Sequence, residues 1–278
     1  ATMIRSKFEQ ENDQLLKFIL DKRFFEPWAE RGTNPNIDKQ FSLSSEGYLE
    51  IYITSHCNYK CEYCYLRENC NIYPTEVDKP ELIISNLKLL CNYLIEKKYC
   101  IPDIELFSGE IWHTNFGREI LEILYQACLN GLQCKHFLIP SNCTFANDDA
   151  ALHLIQRFID KFEQIGVTLQ FSVSMDGKVI DDYNRPANDK DEVRNDLFYD
   201  NIFLFAHRNG FTFHPMVAAY TIEQWKENFQ WWKEMCDKYE YDVIHDVMLL
   251  EVRNNDWTEE KIQSYCDFLE FIFMNQLA

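Results

Sequence analysis

Glycine and proline are scarce, 8 of each in 278 residues. That excludes collagen-like and low-complexity chains and argues against disorder. Long apolar runs are missing too. No stretch approaches the roughly 20 residues that cross a bilayer as a helix, so no membrane span is expected. Basic charge is short: 27 Lys and Arg stand against 45 Asp and Glu, for a formal net charge of −18. No basic run offsets the excess, so nucleic acid phosphates and anionic lipid surfaces would be repelled. The start, Ala1-Thr2-Met3-Ile4-Arg5, carries no apolar targeting segment, and Ala1-Thr2 ahead of Met3 reads as a cloning remnant. The 7 histidines form no ligand-spaced group.

What the chain does have is apolar mass and cysteine. Apolar residues make up 46% and aromatics 15%, ample for a buried core. Eleven cysteines is a high count. An odd number without a signal peptide does not fit a secreted disulfide framework, and a reducing cytoplasm is expected.

Hydrophobic patterning alternates between two periods. Residues 8–24 read as an amphipathic helix, followed by a turn-rich stretch around Gly32-Thr33-Asn34-Pro35-Asn36, so 1–47 is expected to be a short helical extension. From residue 48 onward, strands and helices take turns. Strands are expected over 48–54, 103–110, 135–140, 167–175, 211–219 and 243–252. Helices are expected over 80–98, 117–130, 148–164, 193–209, 223–239 and from 258 to the end. Pro80 marks a helix start, Gly131, Gly166 and Gly210 mark stops, and Thr258 or Asp256 is placed to cap the last helix. Strict strand–helix alternation gives a parallel sheet with right-handed crossovers. The fold class is therefore α/β. Six units fall short of the eight of a closed barrel, so a curved, partly open sheet over 48–278 is expected.

The stretch that carries chemistry is His56-Cys57-Asn58-Tyr59-Lys60-Cys61-Glu62-Tyr63-Cys64-Tyr65. Three cysteines lie on a loop leaving the first strand, where α/β folds put their sites. Soft thiolates select zinc, copper(I) or iron–sulfur clusters. Three protein ligands on a four-iron cubane leave one iron open to a small molecule. Two plainer readings compete: a zinc knuckle with Cys70 as fourth ligand, and three ordinary core cysteines.

The C-x3-C-x2-C spacing followed by an aromatic residue resembles the cluster motif of the radical S-adenosylmethionine (radical SAM) enzymes. The resemblance implies a partial (β/α)6 TIM-like barrel. It implies a [4Fe-4S] cluster on Cys57, Cys61 and Cys64, and SAM chelated at the open iron. Reduction then cleaves SAM to a 5′-deoxyadenosyl radical that abstracts hydrogen from substrate, the chemistry being the cofactor's and the placement the protein's.

The other strand ends extend the resemblance. Ser108-Gly109-Glu110 is similar to the Gly-Gly-Glu motif that holds the SAM amino group, with serine in place of the first glycine. Ser141-Asn142 stands where Thr-Asn-Gly is common, and Asn142 would reach the cofactor. Ser172-Val173-Ser174-Met175-Asp176-Gly177 resembles the Ser-Leu-Asp-Gly segment of the peptide-modifying branch. Ser172 and Ser174 share one side of the strand. By resemblance Ser174 would reach the SAM ribose or carboxylate and Arg185 its carboxylate. Leu250 and Val252 on the sixth strand, with Tyr65, would border the adenine. Asp176 is the candidate base or proton relay, with a turn role as the plainer reading.

Three functional classes remain. The first is a radical SAM enzyme modifying a peptide or protein, served by a reductant such as flavodoxin or ferredoxin. The second is a glycyl-radical activating enzyme, and the third a non-catalytic zinc or iron–sulfur module. The peptide-modifying branch, which includes SPASM, twitch and sulfatase-maturase types, usually adds a cysteine-rich C-terminal domain. No second compact cysteine group is visible before Ala278, so that auxiliary-cluster domain is not expected in this chain. The last helix ends abruptly in Phe271-Ile272-Phe273-Met274, as in a fragment.

Overall fold

A computed structural model describes residues 48–68, 79–189, 192–252 and 256–276. The extension expected over 1–47 lies outside the described residues, as does Cys70.

Four strands form one parallel sheet in the order β1, β2, β3, β4: Tyr48–Tyr52, Asp103–Phe107, His136–Ser141 and Thr168–Val173. The register joins Leu49 to Ile104, Ile104 to Phe137 and Phe137 to Leu169. All four are buried in the main core. Because side chains alternate along a strand, the next row falls on the other face. That row is Glu50, Glu105, Leu138 and Gln170, which are partly exposed. One face is thus greasy and covered by helices, and the other mixes polar side chains with Tyr52, Phe107 and Leu138.

The helices follow the expected order. A single turn, α1 (Tyr65–Glu68), follows the third cysteine, and α2 (Pro80–Glu96), α3 (Gly117–Leu129) and α4 (Asp149–Gln164) connect the sheet strands. A short helix α5 (Asp181–Asn184) precedes α6 (Asp196–Asn209), then come α7 (Trp225–Tyr239) and α8 (Glu259–Gln276). Pro80 occupies the first turn of α2. Asp148 and Asn195 accept the backbone N–H of Ala151 and Phe198 at 2.9 and 3.0 Å. Thr258 accepts from Lys261 at 3.3 Å, so the threonine caps α8. Each such cap satisfies one orphan donor at a helix start.

Strands five and six are much shorter than their patterning suggests. Only β5 (Met216–Val217) and β6 (Leu250–Glu251) are regular, and they pair with each other. Single parallel bridges from Val173 to Phe213 and from Phe213 to Val247 continue the sheet order beyond β4. Local chemistry shortens both. Pro215 has no N–H to donate to a ladder. Asp242 accepts the N–H groups of Ile244 and His245, which curls the chain where strand was expected. A smaller apolar cluster, with Trp225, Phe229 and Phe268 buried, packs α7 against α8. Among the described residues no helix is long and apolar enough to cross a membrane.

Candidate active site

The C-terminal ends of β1 to β4 gather the residues singled out in the sequence. The cysteine stretch leaves β1 as a loop, as expected, and closes into α1 only after Cys64. Two neighbouring segments hold it. On one side it pairs antiparallel with residues 184–188. Lys60 donates its N–H to the Pro186 carbonyl at 2.8 Å, Glu62 donates to Asn184 at 2.9 Å, and Asn188 donates to Asn58 at 2.8 Å. The Asn188 side chain adds a bond to the Cys57 carbonyl at 2.8 Å. On the other side, Asn142 Nδ2 donates to Asn58 Oδ1 at 2.7 Å, and Asn58 Nδ2 donates to Thr144 at 3.1 Å.

Gly109 is the close approach that makes this possible. A Cβ there would meet the His56 carbonyl oxygen at 2.3 Å, so no other residue fits without moving the cysteine loop. The backbone around it is tied to the same loop: Gly109 donates to Thr54 and Glu110 to His56, both at 2.7 Å.

The thiols form one neighbourhood. Burial pushes Cys57 up to about 12, with the Glu110 carboxylate and Cys61 adding to the effect. Burial also raises Cys61, opposed by the Arg185 guanidinium and assisted by Cys64. The N–H of Tyr59 points at Cys57 Sγ at 3.4 Å, a contact that favours the thiolate. A bound metal would displace the thiol protons that burial now retains. Among the described residues, no three His, Cys, Asp or Glu side chains are placed to hold a single metal ion. A cubane takes each thiolate on a separate iron and so wants a wider cup than one ion does. Three partly buried thiols on one clamped loop are, as a donor set, of the soft kind an iron–sulfur cluster takes.

Glu110 is buried at 2% exposure. Its carboxylate accepts from Ser141 Oγ at 2.9 and 3.1 Å, Asn142 N–H at 2.9 Å and Trp112 N–H at 3.3 Å. These donors tie β2 to the end of β3 and leave room for one further bond. Beside it, Ser108 Oγ is buried and has no hydrogen-bond partner among the described residues. A polar ligand seated there would supply one, so the donor set fits a SAM methionine end.

Burial lifts Glu110 to about 7, against the donors and Arg185, which pull it down. Its folded value exceeds its unfolded one, so its stabilising share is complete below about pH 4.5 and is lost as pH rises through 7. The metal-free chain is expected to lose roughly 3 kcal/mol of stability across that window. Glu110→Gln is expected to flatten that part of the profile in urea unfolding at stepped pH. A wild-type profile equally steep in the variant would rule the group out.

Asp176 and Arg185 meet, with an unforeseen residue between them. Asp176 is wholly buried. Its carboxylate accepts from Tyr63 OH at 2.7 Å, Asn184 Nδ2 at 2.8 Å and Met216 N–H at 2.9 Å. Such a carboxylate is fitted to hold neighbours in place. Arg185 donates from Nη1 to the same Tyr63 hydroxyl at 2.8 Å. Burial works against the Arg185 charge, and Cys61, Tyr63, Asp176 and Asp181 more than offset it, so it stays protonated. Arg194 stacks over Tyr59 at 4.3 Å and donates to the Arg185 carbonyl at 2.8 Å.

The remaining candidates are scattered around the rim. Ser172 Oγ lies 2.7 Å from His214 Nδ1, an imidazole that burial keeps toward the neutral form. Ser174 donates its backbone N–H to Ser141 at 2.7 Å. Tyr65 is 41% exposed and tilts against Phe107. Leu250 is exposed, whereas Val252 is buried and donates to Val217 at 2.9 Å. Sequence reasoning missed Asn58, Tyr63, Asn184 and His214. Asn58 and Tyr63 had a signal, since both lie inside the cysteine motif, and Asn184 directly precedes Arg185. His214 sits in a stretch with no motif.

No protein-family model matches the chain, and no curated protein sequence does. Solved structures do. The chain is 14% identical to native anSMEcpe with bound AdoMet and Kp18Cys peptide, with a TM-score of 0.54, covering 83% of this chain and 61% of that one. Streptococcus suis SuiB bound to S-adenosylmethionine gives 11% identity and a TM-score of 0.52, over 84% of this chain and 49% of that one. SuiB bound to its precursor peptide SuiA gives 10% identity and a TM-score of 0.54, over 100% and 61%. The chain thus spans about half to three fifths of the length of these neighbours. The chain therefore shares with these AdoMet-bound structures a parallel α/β, partial TIM-like fold, with its three thiols on the loop after β1.

Proposed function

We propose that the chain is a radical SAM enzyme that acts on a peptide or protein. Cys57, Cys61 and Cys64 would hold a [4Fe-4S] cluster, with SAM beside it. The chemistry such a cluster supplies when bound is one-electron reduction of SAM, and with it a hydrogen-abstracting 5′-deoxyadenosyl radical. The chain's own residues place and shield. Asn58 and Asn142 fix the loop, and Gly109 lets it come close. Ser108 and Glu110 offer an acceptor and a charge to an ammonium. Ser172, Ser174, Tyr65, Leu250 and Val252 border the rest of the SAM site. Asp176 holds Tyr63 and through it Arg185.

The single observation that carries the reading is the clamped loop of three neighbouring thiols at the strand ends. A peptide substrate is supported by the neighbours solved with peptides, Kp18Cys on anSMEcpe and SuiA on SuiB. A low-potential reductant such as flavodoxin or ferredoxin is part of the proposal, as is a cytoplasmic setting.

The test is anaerobic reconstitution followed by iron and sulfide analysis and dithionite-driven cleavage of SAM. About four irons per chain are expected, with 5′-deoxyadenosine formed. Cys61→Ala is expected to lose both. Zinc without iron in the wild type would leave the non-catalytic module as the answer. Turnover only when a glycyl-radical partner protein is supplied would favour the activating-enzyme reading.

A further inference from the structure

We propose that Arg185 is the built-in counter-charge of the cysteine loop, and that its charge raises the readiness of a cluster on Cys57, Cys61 and Cys64 to accept an electron. This rests on reading those cysteines as cluster ligands. It differs from the role that resemblance gives Arg185, at the SAM carboxylate.

The backbone sets the placement. The two bonds from Lys60 to Pro186 and from Glu62 to Asn184 bracket one pair of opposed residues, Cys61 and Arg185. The pairing continues to Tyr59 and Ala187 as an antiparallel bridge. Arg185 therefore cannot drift along the loop without breaking the ladder. Its side chain is fixed as well. Nη1 bonds Tyr63 OH, the hydroxyl that in turn bonds Asp176. The guanidinium carbon lies 5.9 Å from the Tyr59 ring centre. Both tyrosines belong to the cysteine loop, so three features of one loop grip one cation.

Arg185 is 6% exposed. The charged and titratable groups facing it are Cys61, Tyr63, Asp176 and Asp181, with Cys57 and Glu110 also within its electrostatic reach. Asp176 comes from the turn after β4 and Asp181 from α5. Adding an electron to a cluster adds negative charge. A fixed cation screened little by water makes that addition easier. Its loss leaves the acids Asp176, Asp181 and Glu110 to act on the cluster alone.

The test is a redox titration of the reconstituted protein before SAM is added, read by the EPR signal of the reduced cluster. Take the potential at which the wild type is half reduced. There, Arg185→Met is expected to lower the reduced-to-oxidised ratio at least tenfold, about 59 mV for one electron. Arg185→Lys keeps the charge and is expected to stay within about threefold of wild type. If the methionine variant carries no iron, Tyr63→Phe decides. It preserves volume and removes the hydroxyl that fixes the guanidinium, and a shift of at least threefold is expected. Unchanged SAM-free ratios in iron-loaded variants would overturn the proposal. So would a difference that arises only on adding SAM, which would return Arg185 to the SAM carboxylate. Absence of any iron–sulfur signal in the wild type is a separate result, and it removes the cluster reading itself.

Discussion

Asp176→Ala is expected to cost at least roughly 3 kcal/mol of stability, because three donors to this buried carboxylate would each be left unpaired at about 1–3 kcal/mol. The reason lies in what is stranded. Tyr63 OH, Asn184 Nδ2 and the Met216 N–H all donate to this carboxylate, and all would lose their acceptor. Arg185 would keep its charge at 6% exposure with Asp181 and Glu110 left as the carboxylates that act on it. Asp176→Asn is expected to cost less, about 1–3 kcal/mol, because one amide oxygen can still serve some of these donors. Urea unfolding of the metal-free chain gives both values. The damage should also reach the cysteine loop, since Tyr63 lies between Cys61 and Cys64. Iron retained after reconstitution is therefore expected to fall in the alanine variant even where the chain remains folded. A cost below about 1 kcal/mol for alanine would mean that the hub is not what joins the Asp176 turn to the loop.

That hub shows what the sequence disclosed and what it withheld. The alternating periods located all six strand–helix units, and the capping residues Pro80 and Thr258 stood where the helices start. The cysteine loop and the strand ends holding Ser108, Asn142 and Asp176 came from motif order along the chain, and the fold brings them to one end of the sheet. Pairings between distant segments were not legible. Asn58 with Asn142, Tyr63 with Asp176 and Ser172 with His214 are separated by 84, 113 and 42 positions. No local pattern encodes such distances, because each partner taken alone has an ordinary role in a turn or strand. The short strands five and six were misjudged for a related reason. Val243 to Val252 has the apolar content of a strand, but Asp242 offers the backbone a competing bond that content does not report.

Two glycines with almost the same backbone angle allow strain and space to be separated. Gly177 has φ of 109° and Gly131 has φ of 105°. At Gly131 an added Cβ would meet nothing within 4 Å. Gly131→Ala therefore carries only the backbone penalty, roughly 1–2 kcal/mol. At Gly177 the Cβ would lie 2.5 Å from Asn228 Oδ1 and 2.7 Å from Trp232 Nε1. Those side chains have little freedom to yield, because both are wholly buried and both donate to the Asp176 carbonyl, at 2.7 and 3.0 Å. Gly177→Ala adds overpacking of roughly 1–3 kcal/mol to the same backbone penalty, and pushes the Asp176 turn off its two donors. The difference between the variants, measured by urea unfolding under identical conditions, isolates the packing part. It is expected to be positive and at least about 1 kcal/mol. Equal losses would show that α7 moves aside freely and that the turn is not pinned by Asn228 and Trp232.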